Sequence, residues 1–124
     1  MDAENTIKVI IDAAITVKRV LGHGFLESVY QRALLYELKL RGLEAQIEVP
    51  VEVHYKCVVV GSFRADILVD NSIIVELKVA ENIDLAHEYQ LVNYLKATDI
   101  DHGLIINFGQ TPIGIKRKYR NCIA

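Results

Sequence analysis

At Glu44 the apolar residues of this chain stop recurring at helical spacing and begin to alternate, and that change of period limits what the chain can become. Upstream, over residues 5–21, Ile7, Ile10, Ile11, Ala14, Ile15 and Leu21 fall on one helical stripe, while Lys8, Asp12, Lys18 and Arg19 fall largely elsewhere. The spacing predicts an amphipathic helix that stops near Gly22. A second helix is predicted from about Phe25 to Arg41, with Leu34, Leu35, Leu38 and Leu40 as its apolar surface and Gly42 closing it. Downstream, Ile47, Val49, Val51 and Val53 alternate with Gln46, Glu48, Glu52 and His54, the mark of a half-buried strand. Pro50 has no amide to donate to a ladder, so this strand is expected at a sheet edge or at a bulge. Val58 to Val60 read as another short strand, with Gly61 as a bend after it. Asp84 reads as the N-cap of a helix over LAHEYQLVNYLKA, GLIINF as a last apolar strand, and a basic tail ends the chain. Two helices, a run of strands, one helix and one strand make an α/β chain without repeats or low-complexity segments.

Size and composition narrow the class. The 124 residues suit one domain spanning 1–124, and a hydrophobic share of 52% is enough for a real core. A net charge of −2 offers no general attraction for a polyanion, which would have to meet a local basic patch. Cys57 and Cys122 are far apart and lack metal-type spacing, so both are expected to be buried or idle thiols. The N-terminal MDAENT is polar and acidic, unlike a secretory signal, and Lys8, Asp12 and Lys18 interrupt the apolar stretch that follows. No membrane span is expected, and the cytoplasm is the simplest compartment.

Residues 63–80, FRADILVDNSIIVELKVA, carry the chemistry. They read as two apolar strands around a turn, yet Asp66, Glu76 and Lys78 interrupt the apolar runs, and a buried charge is costly unless it is paired or bound to metal. Alternation places Glu76 and Lys78 on one face and Val75, Leu77 and Val79 on the other. If Asp70-Asn71-Ser72 is a three-residue loop, Val69 faces Ile73 and Asp66 faces Glu76. A two-residue loop would turn Asp66 to the wrong face unless a bulge restored the parity. Carboxylates directly opposite each other lie about 5 Å apart at Cβ and repel, so a cation must neutralise them. Lys78 supplies one charge, and a divalent ion with a preference for oxygen, Mg²⁺ or Mn²⁺, would supply more. An exposed strand face with an ordinary Lys78 ion pair is the other reading of the same residues.

These residues resemble the PD-(D/E)XK nuclease-like superfamily, with Asp66 in R-A-D where the pattern often has P-D, and with Glu76-Leu77-Lys78 as the E-x-K. Gly24 to Tyr30, GFLESVY, fits the G-x-x-E-x-x-Y signature of a small bacterial and archaeal family within it, and HEYQLVNYL, from His87 to Leu95, is similar to the segment after that family's catalytic strand. The resemblance implies a restriction-endonuclease-like core, a mixed and mostly antiparallel sheet flanked by helices. It implies a Mg²⁺- or Mn²⁺-dependent nuclease in which Asp66 and Glu76, helped by the Leu77 carbonyl, hold the metal. Lys78 would then orient the attacking water or stabilise charge at the phosphate. It also places Glu27 at the site as a further ligand. Glu27 has a structural reading as well, as residue N3 of a capping box begun at Gly24. Gln90 and Tyr94 match a Q-x-x-x-Y pattern and are expected beside the metal or the phosphate. Tyr30 is expected to pack or hydrogen-bond next to the site, and His87 to act as a cap or polar neighbour. Lys116, Arg117 and Lys118 in the tail form a weak phosphate-binding candidate, a solvated basic face being the alternative. The implied partner is nucleic acid, DNA ahead of RNA. A catalytically weak or inactive nuclease-fold module, serving nucleic-acid binding or homo-oligomeric assembly, is the competing function.

Overall fold

The computed structural model describes residues 1–120. Cys122 lies outside the described residues, and Cys57 is exposed in a turn rather than buried.

The first helix, α1, spans Ala3–Leu21. The Asp2 carboxylate accepts the Asn5 amide at 2.8 Å and caps its start. Gly22, at φ 78, ends it as the spacing predicts, with its amide on the Lys18 carbonyl. The second helix, α2, spans Glu27–Leu40 and begins two residues later than Phe25. The alternating segment forms β1, Ala45–Tyr55, followed by β2 (Val58–Val69) and β3 (Ile73–Lys78). After the helix α3, Leu85–Thr98, come β4 (His102–Asn107) and β5 (Gly114–Tyr119). One sheet has the order β1-β2-β3-β4-β5; β3 and β4 run parallel with α3 as their crossover, and the other neighbours are antiparallel. This is the mixed, mostly antiparallel sheet that the resemblance implies, and Pro50 indeed lies on an edge strand.

Two expectations fail. Val58–Val60 is not a separate strand, because β2 runs unbroken through Gly61, which pairs with Val53; the extra residue is absorbed by a register shift between Val53 and His54. The basic tail is the fifth strand. It lacks an apolar rhythm because an edge strand gains its backbone bonds from one neighbour, here β4, and charged side chains there discourage further pairing.

Two cores lie on opposite faces of the sheet. Under α1 and α2, Ile7, Ile10, Tyr30, Leu34 and Leu38 meet Ile67, Val69, Ile73, Val75, Leu77, Leu104 and Ile106. Under α3, Leu91 and Leu95 meet Ala65, Ile74 and Ile105. Each aliphatic side chain so buried contributes about 1.5–3 kcal/mol. The sheet also forks. β2 pairs with β3 only over Ile67–Val69, and its residues 58–66 continue with β1 alone as an arm exposing Val53, Tyr55, Val58, Val59 and Val60. Among the described residues no helix is long and apolar enough to cross a membrane.

Candidate active site

The acidic hairpin turns through Asp70 and Asn71, both left-handed at φ 51 and 53, as a tight hairpin turn requires. The Ser72 amide donates to the Val69 carbonyl at 3.0 Å, and Ser72 is the third loop residue, so Val69 pairs with Ile73 as expected. The register carried one residue further sets Asp66 opposite Glu76, where the ladder stops. The two carboxylates close the gap themselves. Glu76 Oε2 accepts the Asp66 amide at 2.8 Å, and Asp66 Oδ2 accepts the Leu77 amide at 2.8 Å. Each acid spends one oxygen in place of a strand carbonyl and keeps the other. Asp66 and Glu76 therefore converge at the mouth of the fork, with Lys78 next along the same strand face.

Repulsion is left over. Glu76 is only 6% exposed, and burial, followed by the Asp66 charge, pushes its carboxyl up to about 8 against the help of the Asp66 amide and Lys78. Burial also raises Asp66, with the Leu77 amide and Lys78 opposing and Glu48 adding to the rise. Among the described residues Lys78 belongs to none of the ion pairs, so it offsets these acids through space. The ordinary ion-pair reading of Lys78 does not fit this arrangement.

On the α2 side, Glu27 is the first helical residue and not N3, because Leu26 is the N-cap and makes no side-chain bond. The capping-box reading of Glu27 is therefore wrong. Its carboxyl, at the exposed rim, is raised by desolvation and then by Asp66, while Lys78 lowers it. Tyr30 is turned into the core. It is fully buried, stacks on Phe108 at 4.6 Å, donates to the Gly22 carbonyl at 2.6 Å and accepts the Phe25 amide at 3.3 Å. It fastens the α1–α2 turn that presents Glu27. Two site neighbours were missed by sequence reasoning. Gln31, buried at 7% exposure, donates to Glu48 Oε1 at 3.1 Å and to the Asp66 carbonyl at 3.0 Å. Glu48 looked like one more solvent-side residue of β1; Pro50 nearby was the only hint of irregular backbone.

From α3, Tyr94 reaches the site. Its ring stacks on Phe63 at 3.4 Å, and burial together with the Glu76 and Asp66 charges raises its hydroxyl, with neighbouring Gln90 acting the other way. Gln90 itself is exposed. His87 serves as a cap, its Nδ1 accepting the Asp84 amide at 3.4 Å while Asp84 accepts the Ala86 amide at 3.0 Å. The basic tail divides. Arg117 grips Glu4 with two bonds, at 2.9 and 2.6 Å, and Lys118 pairs with Glu88 at 2.5 Å. Lys116 is exposed and lies in register with Ile105, which is in register with Glu76, so two strand spacings, about 10 Å, separate it from the acids.

Among the described residues no three acidic, histidine or cysteine side chains are gathered round one point for a metal. The donor set nevertheless fits a hard divalent cation. It consists of carboxylate oxygens, and Asp66 and Glu76 each retain a free one.

A family model described as the PD-(D/E)XK nuclease superfamily matches residues 4–118. No curated protein and no solved structure matches the chain.

Proposed function

Because the chain belongs to the PD-(D/E)XK nuclease superfamily, we propose that it is a phosphodiesterase of nuclease type that needs Mg²⁺ or Mn²⁺, with nucleic acid as its substrate, DNA ahead of RNA. The observation that carries this reading is the meeting of Asp66 and Glu76 across the fork with Lys78 beside them. Asp66, Glu76 and Glu27 would hold the ion, which when bound supplies a Lewis acid for the phosphate and a more acidic water. Lys78 orients the water or offsets charge as the phosphorus becomes five-coordinate. Tyr94, which lines an open groove of about 650 Å³ with Val53, His54, Asn93 and Lys96, and Gln90, one turn earlier on α3, would contact the phosphate. The G-x-x-E-x-x-Y subfamily, a prokaryotic source, a cytoplasmic location and a single domain over 1–124 belong to the same proposal.

Cleavage of single- and double-stranded DNA and RNA with Mg²⁺ or Mn²⁺ tests it. Wild type should cut, and Asp66→Ala and Lys78→Ala should each lose at least about a hundredfold in rate. An inert wild type, or variants that cut equally well, refutes it.

A second reading keeps the fold and gives up efficient catalysis. It is favoured by the pairing of Arg117 and Lys118 with the protein's own acids and by the apolar β1–β2 arm. Salt-dependent nucleic-acid binding without cleavage, or a stable homo-oligomer, would support that module instead.

A further inference from the structure

Glu48 breaks the pattern of β1. Ile47 packs toward the core under α1 and α2, yet Val49 packs into the core under α3. Residues two apart on a regular strand share a face. The strand therefore changes face here, at Glu48, whose backbone is left-handed at φ 54. The partner strand changes face at the same level: Ile67 lies in the first core and Ala65 in the second, with Asp66 between them. Glu48 and Asp66 are skipped by a ladder that joins Ile47 to Ile67 and Val49 to Ala65.

A left-handed residue other than glycine is strained, and such strain persists where the surroundings enforce it. Here the enforcing group is Gln31, whose buried amide binds the Glu48 carboxylate and the Asp66 carbonyl together. Gln31 needs an acceptor and not a charge, so a glutamine at position 48 would serve it equally well. A carboxylate at this place instead adds a further negative charge beside Asp66, whose backbone carbonyl shares the same Gln31 amide. A cation bound among these acids turns their repulsion into attraction. Glu48 is solvent-exposed, and its long side chain can close on an ion without moving the backbone.

We propose that Glu48 is a fourth carboxylate of the cation site, aimed beside Asp66 by Gln31, and that it helps hold a hard divalent ion there. The inference rests on the metal-dependent reading above. The test is titration calorimetry with Mn²⁺ on wild type, Glu48→Gln and Glu48→Gly, alongside urea denaturation of each in chelator. Glycine suits the left-handed backbone and glutamine retains the Gln31 bond, so at least one variant keeps the fold. Both should bind Mn²⁺ about tenfold or more weakly, while Glu48→Gln loses little stability. Wild-type binding that both variants match, or lowered stability with unchanged Mn²⁺ affinity, would overturn the Glu48 role and leave the metal-dependent reading intact. A wild type that binds no Mn²⁺ would overturn both.

Discussion

Replacing Glu76 by Gln should make the metal-free protein more stable at alkaline pH, even though it removes a group on which the site depends. Glu76 is 6% exposed, and its carboxyl is raised from 4.5 to about 8, first by burial and then by the Asp66 charge. Unfolding returns the group to its ordinary value. Between those two values the folded protein keeps a proton that the unfolded chain has released, so stability falls as pH rises. Below the lower value both states are protonated and nothing is lost. Above the upper one both are ionised and the loss is complete. One such group gives a slope of at most about 1.4 kcal/mol per pH unit, and the full window amounts to a loss on the order of 5 kcal/mol. Asp66 and Glu27 are raised as well and act in the same sense. Glutamine keeps an oxygen for the Asp66 amide and carries no charge. Urea denaturation in chelator at about pH 5, 7 and 9 reads the difference. The two proteins should agree at the acid end and separate progressively above it, with only Glu76→Gln holding most of its stability. A wild type whose stability stays level across this range, or a variant that runs parallel to it, refutes the electrostatic account.

Tyr30→Phe should cost about 1 kcal/mol by leaving the Gly22 carbonyl without its donor while the ring stack persists, which urea unfolding measures. Leu91→Ala removes a fully buried side chain facing Gly103 under α3 and should destabilise by about 2–5 kcal/mol in thermal or urea unfolding. Lys116→Ala should weaken nucleic-acid binding and shrink its log–log salt slope by about 1, whereas Arg117→Ala should leave that slope alone because Arg117 is held by Glu4.

The hairpin was legible in the sequence because its logic is local. A strand has a period of two, a three-residue loop preserves parity, and Asp70 and Asn71 are residues that tolerate left-handed backbone. The same locality made α1, with its cap and terminal glycine, readable from spacing. Glu27 stood out only through the G-x-x-E-x-x-Y signature, and the helix start inferred around it was misplaced by two residues because Leu26, without a capping side chain, marks no boundary. The strand β5 was not legible, since Lys116, Arg117 and Lys118 show no apolar rhythm and β4 alone brings them into the sheet.

By itself the sequence determined the coarse order of elements as far as β4 and the placing of Asp66, Glu76 and Lys78 on one side, because periodicity within an element reports which way its side chains turn. Only the tertiary structure decided which charges meet. Glu48 is aimed by a left-handed backbone and by Gln31, 17 residues earlier, and Arg117 is neutralised by Glu4, 113 residues away. Such encounters depend on how helices dock against the sheet, and no repeat along the chain encodes that distance.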